Sequence, residues 1–221
     1  QEVLGIAKKY SVIKVALGLY PTDSINFVPD ATEEQGLTRQ FTPVDETLAF
    51  IEKNKKNLVA IGEVGLDYKD TKEPEQISQQ KTIFQKIIEL AERIKKPLIV
   101  HSRSAEADVI EMLQSNSCKK VVMHCFGGRK TLARKAADAG FYFSIPPVCQ
   151  RLKHFEMIIQ EVSMNQLLTE TDAPYLAPVA GQRNEPANVL ESVKKIAEIK
   201  QFTVEETANN VWMNYQNLFG N

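Results

Sequence analysis

Four residues of this 221-residue chain stand where an apolar run stops and chemistry can begin. Glu63 interrupts LVAIGEVGLDY (58–68) between two glycines, Gly62 and Gly65. His101 closes PLIVH, His124 closes KVVMH, and Asp172 follows LLTET. A carboxylate at the end of a buried run needs a partner, because even an unpaired neutral polar group costs on the order of 2–7 kcal/mol in apolar surroundings. Two imidazoles and two carboxylates form a hard-to-borderline donor set that suits zinc, manganese or magnesium better than a thiolate-seeking metal. The same groups can serve as general acid and base. A lone buried histidine is more often a hydrogen-bonded core residue, and a lone strand-end acid a helix cap or a lysine partner. Four of them at four run ends favour a metal or acid–base site. The third histidine, His154, lies in polar RLKHF and has no such context.

The elements that must position these residues are six continuous apolar runs: 12–20, 58–65, 97–102, 120–126, 141–145 and 166–171. Continuous rather than alternating apolarity is the pattern of parallel strands covered on both faces. Helical patterns lie between them. Thr42-Pro43 signals a helix start, and 77–95 carries Ile83, Phe84, Ile87, Ile88, Ala91 and Ile94 at helical spacing. Shorter patterns cover 105–114, 129–138 and 151–161, and Thr203 with Glu206 makes a capping box for a last helix bearing Val211 and Trp212. Alternating βα units predict a parallel α/β fold in a single domain over 1–221, and a doubly wound sheet and a (β/α)8 barrel both fit that pattern. In either, chemistry gathers at the carboxyl ends of the strands.

Charge and cysteine usage exclude some classes. A net charge of −1 means that any surface for a polyanion must be local. Three cysteines without CxxC argue against a disulfide framework or a structural zinc, and a reduced, cytoplasmic setting is expected. Cys125, next to His124, is expected by strand alternation to point away from the site as an inert core thiol. No apolar run approaches the ~18 residues of a membrane span.

In order along the chain, GEVGLDY (62–68), PLIVHSR (97–103), MHCFGG (123–128), LTETDAPYLAP (168–178) and RNEP (183–186) resemble the TatD-like metal-dependent hydrolases. These form a (β/α)8 TIM-barrel branch of the amidohydrolase-like superfamily, known for deoxyribonuclease activity. The resemblance implies two divalent metal ions (Zn, Mn, Mg, Co or Ni) bridged by Glu63, with His101 and His124 on one and Asp172 on the other. It implies that Asp172 orients or deprotonates the attacking water. The family's first-strand HxH is absent from this sequence, and Gly18-Leu19-Tyr20-Pro21 carries Tyr20 where the bacterial pattern has a histidine. Six runs against eight barrel strands lead to the expectation that about the first two strands and the HxH lie outside this sequence.

The function that the resemblance implies is hydrolysis of phosphodiesters in DNA, at single-stranded or frayed ends and of the 3'–5' exonuclease type. Arg103, Arg183 and Tyr20 are the candidate phosphate-binding groups, since a forked guanidinium matches phosphate geometry and a tyrosine hydroxyl can donate to it. Gly127-Gly128-Arg129-Lys130 opens a helix whose N–H groups can receive another phosphate. Arg129, Lys130, Arg134 and Lys135 read equally well as a solvated helix face. The alternatives are a deacylase on the same metal site, for example on aminoacyl-tRNA, and a non-catalytic scaffold or binding protein.

Overall fold

The computed structural model describes residues 2–25, 43–69, 71–116 and 118–220. The chain divides into two compact units, 1–121 and 122–221.

The first unit opens with helix α1 (Glu2–Lys9) and carries three strands, β1 (Val15–Leu17), β2 (Leu58–Gly65) and β3 (Leu98–His101). Both pairings are parallel, with Leu17 opposite Ile61, Val64 opposite Val100 and Gly65 opposite His101. Helices α2 (Val44–Lys53), α3 (Pro74–Ile94) and α4 (Glu106–Gln114) alternate with them. Helix α3 starts on Pro74, whose fixed φ suits a first turn, and ends at Lys95 in the left-handed region (φ 56°). Gln80, Phe84, Ile87, Ile88 and Ala91 form its buried stripe, a spacing of three and four that puts them on one face. They join Ile61, Val64, Leu66, Leu98 and Val100 in the core. Pro43 flanks α2 as its cap rather than standing inside it, and Thr42 lies outside the described residues.

The second unit holds β4 (Val121–Met123, starting on the last residue of the first unit), β5 (Tyr142–Ile145) and β6 (Leu167–Thr169). These are again parallel, with Met123 opposite Phe143 and Phe143 opposite Leu167. Helices α5 (Lys130–Asp138), α6 (Lys153–Glu161), α7 (Val189–Lys200) and α8 (Val204–Phe219) complete it. Phe126 meets Phe143 edge to face at 5.4 Å over a core of Phe155, Ile158, Ile159 and Val162. The capping box on α8 forms as expected: Thr203 accepts from the Glu206 N–H at 3.1 Å, and Glu206 accepts from the Thr203 N–H at 2.8 Å.

The strands occupy all six apolar runs; β2 fills its run, and the other five are shorter than theirs. The first run predicts 12–20, whereas β1 spans only Val15–Leu17, and Val12 is 86 % exposed. Apolarity continues past the last ladder bond, so it overstates strand length. Helix α7 does not appear in the sequence reading. Its buried Val193, Ile196 and Ala197 carry the spacing that identifies it. Among the described residues no helix is long and apolar enough to cross a membrane.

Candidate functional site

In the first unit the site grows from the ends of β2 and β3. Glu63 is half-buried within β2, and three glycines let the backbone close around it. A Cβ on Gly62 would lie 2.6 Å from the Ile99 Cβ, one on Gly18 would strike the Glu63 carbonyl oxygen, and one on Gly65 the His101 carbonyl oxygen. Gly65 also has φ 136°, which only glycine adopts readily. His101 is the last residue of β3, and one of its ring nitrogens lies within 4.8 Å of a Glu63 carboxylate oxygen.

Asp67 is the centre of this half. Its Oδ2 lies 3.0 Å from His101 Nε2 and accepts from the Tyr20 hydroxyl at 3.0 Å and from Arg103 Nε at 3.1 Å. Its Oδ1 accepts from the Lys69 N–H at 3.0 Å. From α3, buried Gln80 accepts from the Asp67 N–H at 2.8 Å and donates to its carbonyl at 2.9 Å, locking the turn after β2. Burial pushes the Asp67 carboxyl up. The hydrogen bond from His101, the charges of His101 and Arg103 and the Lys69 N–H outweigh it and hold the group at about 2. The Tyr20 and His101 rings pack with centroids 4.9 Å apart. Tyr20, read as a phosphate donor, thus has its proton on Asp67. Asp67 holds both.

In the second unit His124 follows directly on β4 and its side chain is only 7 % exposed. Its Nδ1 bonds Glu170 Oε2, while its Nε2 lies 4.0 Å from Asp172 Oδ1. Glu170 also accepts from the Ser144 hydroxyl at 2.7 Å and from the Cys125 N–H at 2.9 Å. Asp172 sits in the left-handed region (φ 54°), which aspartate tolerates better than most residues. Buried Asn184 of RNEP braces its loop, donating to the Thr171 carbonyl and, at 2.6 Å, to the Tyr175 carbonyl. Arg183, beside it, is exposed. Cys125 departs from the alternation argument: it lies past the end of β4 with φ 41°, half-buried, so strand periodicity does not govern it. His154 Nε2 bonds the Phe126 carbonyl at 2.9 Å, a structural contact. Lys130 and Arg134 of α5 each pair with Glu161 at 2.5 Å, which favours the solvated-face reading for those two.

The His124–Asp172 pair fits a divalent cation. Two ligands held by one ion at about 2.0–2.2 Å lie at most about 4.4 Å apart, and the His124–Asp172 pair meets that limit at 4.0 Å, a separation that lets one ion touch two residues that the resemblance assigns to different ions. An imidazole nitrogen and a carboxylate oxygen at this separation are beyond hydrogen-bond reach of each other. Both histidines carry a carboxylate on one ring nitrogen, the usual support for a metal-binding imidazole.

Comparison with known proteins agrees with this chemistry. The human deoxyribonuclease TATDN3 (Homo sapiens) is 32 % identical over 222 residues, which is 99 % of this chain and 79 % of that protein. The uncharacterized metal-dependent hydrolase YabD of Bacillus subtilis is 36 % identical over 220 residues, 96 % of this chain and 79 % of the relative. Among solved structures, the TatD homolog YJJV of Escherichia coli K12 superposes with a TM-score of 0.81 at 24 % identity, covering 100 % of this chain and 82 % of that one. A TatD family hydrolase from Entamoeba histolytica gives 0.77 at 22 %, covering 99 % of this chain and 80 % of that chain. These two likenesses place the chain in the α/β fold of the TatD TIM-barrel hydrolases. The family model described as "TatD related DNase" matches residues 1–220, and the chain belongs to that family of metal-dependent hydrolases.

Proposed function

We propose that the protein is a divalent-metal-dependent deoxyribonuclease that cleaves phosphodiesters at single-stranded or frayed DNA ends, as a 3'–5' exonuclease. The observation that carries this reading is the His124–Asp172 pair, 4.0 Å apart, in a family with relatives named deoxyribonuclease. Glu63 and His101 of the first unit add a carboxylate and an imidazole of the kind that holds zinc, manganese or magnesium.

In this reading Glu63, His101, His124 and Asp172 would hold two divalent ions. Bound there, such ions supply Lewis acidity, bringing the pKa of a water toward 7 and offsetting phosphate charge. Asp172, with a third of its side chain exposed, takes the proton of the attacking water as general base. Arg103 is anchored through Nε on Asp67 and is 39 % exposed, which aims a guanidinium at the scissile phosphate without leaving it to wander. Arg183 binds the neighbouring phosphate. Tyr20 keeps Asp67, and through it His101, in place.

Oligonucleotides labelled at either end, assayed with Mg2+, Mn2+ or Zn2+, test the proposal. Stepwise loss from the 3' end of single strands, abolished by EDTA and reduced at least 100-fold in Glu63→Gln and His124→Ala, is expected. Unchanged metal-dependent cleavage in either variant overturns the site assignment. Hydrolysis of aminoacyl-tRNA with no cleavage of DNA overturns the substrate class.

A further inference from the structure

We propose that Glu170 is a positioning residue that fixes His124 in its Nδ1–H tautomer, so that Nε2 presents its lone pair toward Asp172. This rests on the metal-dependent reading above for its purpose, but not for its geometry.

A neutral imidazole has one N–H, and its hydrogen-bond partners decide which nitrogen carries it. A carboxylate offers only lone pairs. Glu170 faces His124 Nδ1, so the ring proton belongs there and Nε2 is the basic atom. Two further donors, the Ser144 hydroxyl on Oε2 and the Cys125 N–H on Oε1, stop the carboxylate from rotating. They come from β5 and from the residue after His124, so Glu170 is fixed against the strand ends that carry the ring. With the two side chains only 7 % and 14 % exposed, water competes little for these bonds. Nε2 then faces Asp172 Oδ1 at 4.0 Å, so that both atoms can offer a lone pair to one cation.

Glutamine at position 170 nearly keeps the shape but has one acceptor oxygen and an NH2 group. It cannot accept all three bonds. With its oxygen on the Cys125 N–H, its NH2 points at Nδ1 and drives the ring proton to Nε2, where it blocks a ligand.

The test is the imidazole 15N tautomer pattern of the metal-free protein at pH 8, where an ordinary imidazole is neutral, together with Mn2+ and Zn2+ titration by calorimetry. The wild type is expected to show His124 as Nδ1–H. Glu170→Gln is expected to shift it to Nε2–H and to weaken metal binding by about 10–100-fold. A wild-type ring protonated on Nε2, or a Gln variant that keeps both tautomer and affinity, overturns the proposal. The wild-type tautomer decides the matter even if the variant does not fold. A wild type that binds no divalent ion overturns the functional reading instead, and the tautomer is still read.

Discussion

At the scale of single residues, the protein treats its ionisable groups in opposite ways. Asp67 is buried yet ionised, because His101, Arg103, Tyr20 and the Lys69 N–H converge on it. At Cys149 and Cys118 burial wins instead and pushes the thiols up to about 12 and about 11, although Ser192 and the Lys195 charge work against it at Cys149. The thiolate is the nucleophile, so both are inert in the fold. Iodoacetamide at pH 8 is expected to leave Cys118 and Cys149 unlabelled in the native protein and to label both in urea, read by peptide mass mapping. Native labelling of Cys149 overturns this. The sign of the pH effect follows. Keeping these thiols neutral contributes fully to stability below the unfolded value of 9.0. The contribution is lost as pH rises from there toward the folded values.

At the scale of elements, the end of β2 is where backbone conformation and chemistry meet. Gly65 needs φ 136°, and a Cβ there would run into the His101 carbonyl. Gly140 also has positive φ, 85°, but open space around its Cβ position. Alanine at Gly140 is therefore expected to cost only backbone strain, about 1 kcal/mol, and alanine at Gly65 that strain plus a collision, about 3 kcal/mol or more. Urea denaturation of the two variants separates the terms, and equal losses would show that crowding at β2 is relieved by a small shift. The same elements explain what the sequence discloses. Strand cores are legible because parallel strands buried on both faces leave unbroken apolar runs, and Glu63, His101, His124 and Asp172 stand out against those runs. Glu170 does not. It is a polar residue in TET, 46 residues from His124, and only the pairing of β5 with β6 and the turn after β4 bring its three donors together. Asp67 is hidden for a similar reason: its role depends on Tyr20, Gln80 and Arg103 reaching it from three other segments.

At the scale of the whole molecule, the question is how a chain of net charge −1 would hold a nucleic acid. Many of its cations are already committed. Lys130 and Arg134 pair with Glu161, Lys195 with Glu156, Arg93 with Glu52 and Lys81 with Asp108, at 2.5–3.0 Å. Such pairs remove positive charge from the surface potential. Arg103, anchored on Asp67, and the exposed Arg183 and Arg129 are the candidate phosphate contacts. Single-stranded DNA gives a salt slope of about −0.7 per phosphate neutralised, so two or three contacts predict a slope of about −1.5 to −2. Fluorescence anisotropy of a labelled oligonucleotide on Glu63→Gln, from 50 to 300 mM KCl, measures it, and Arg183→Ala is expected to flatten the slope by about 0.7. A slope steeper than about −4 would mean an extended basic track in place of a few fixed contacts. Binding of that kind would draw on lysines now paired with acids. A shallow slope places the grip on DNA in the arginines beside the strand ends, where Asp67 and the RNEP loop already hold two of them.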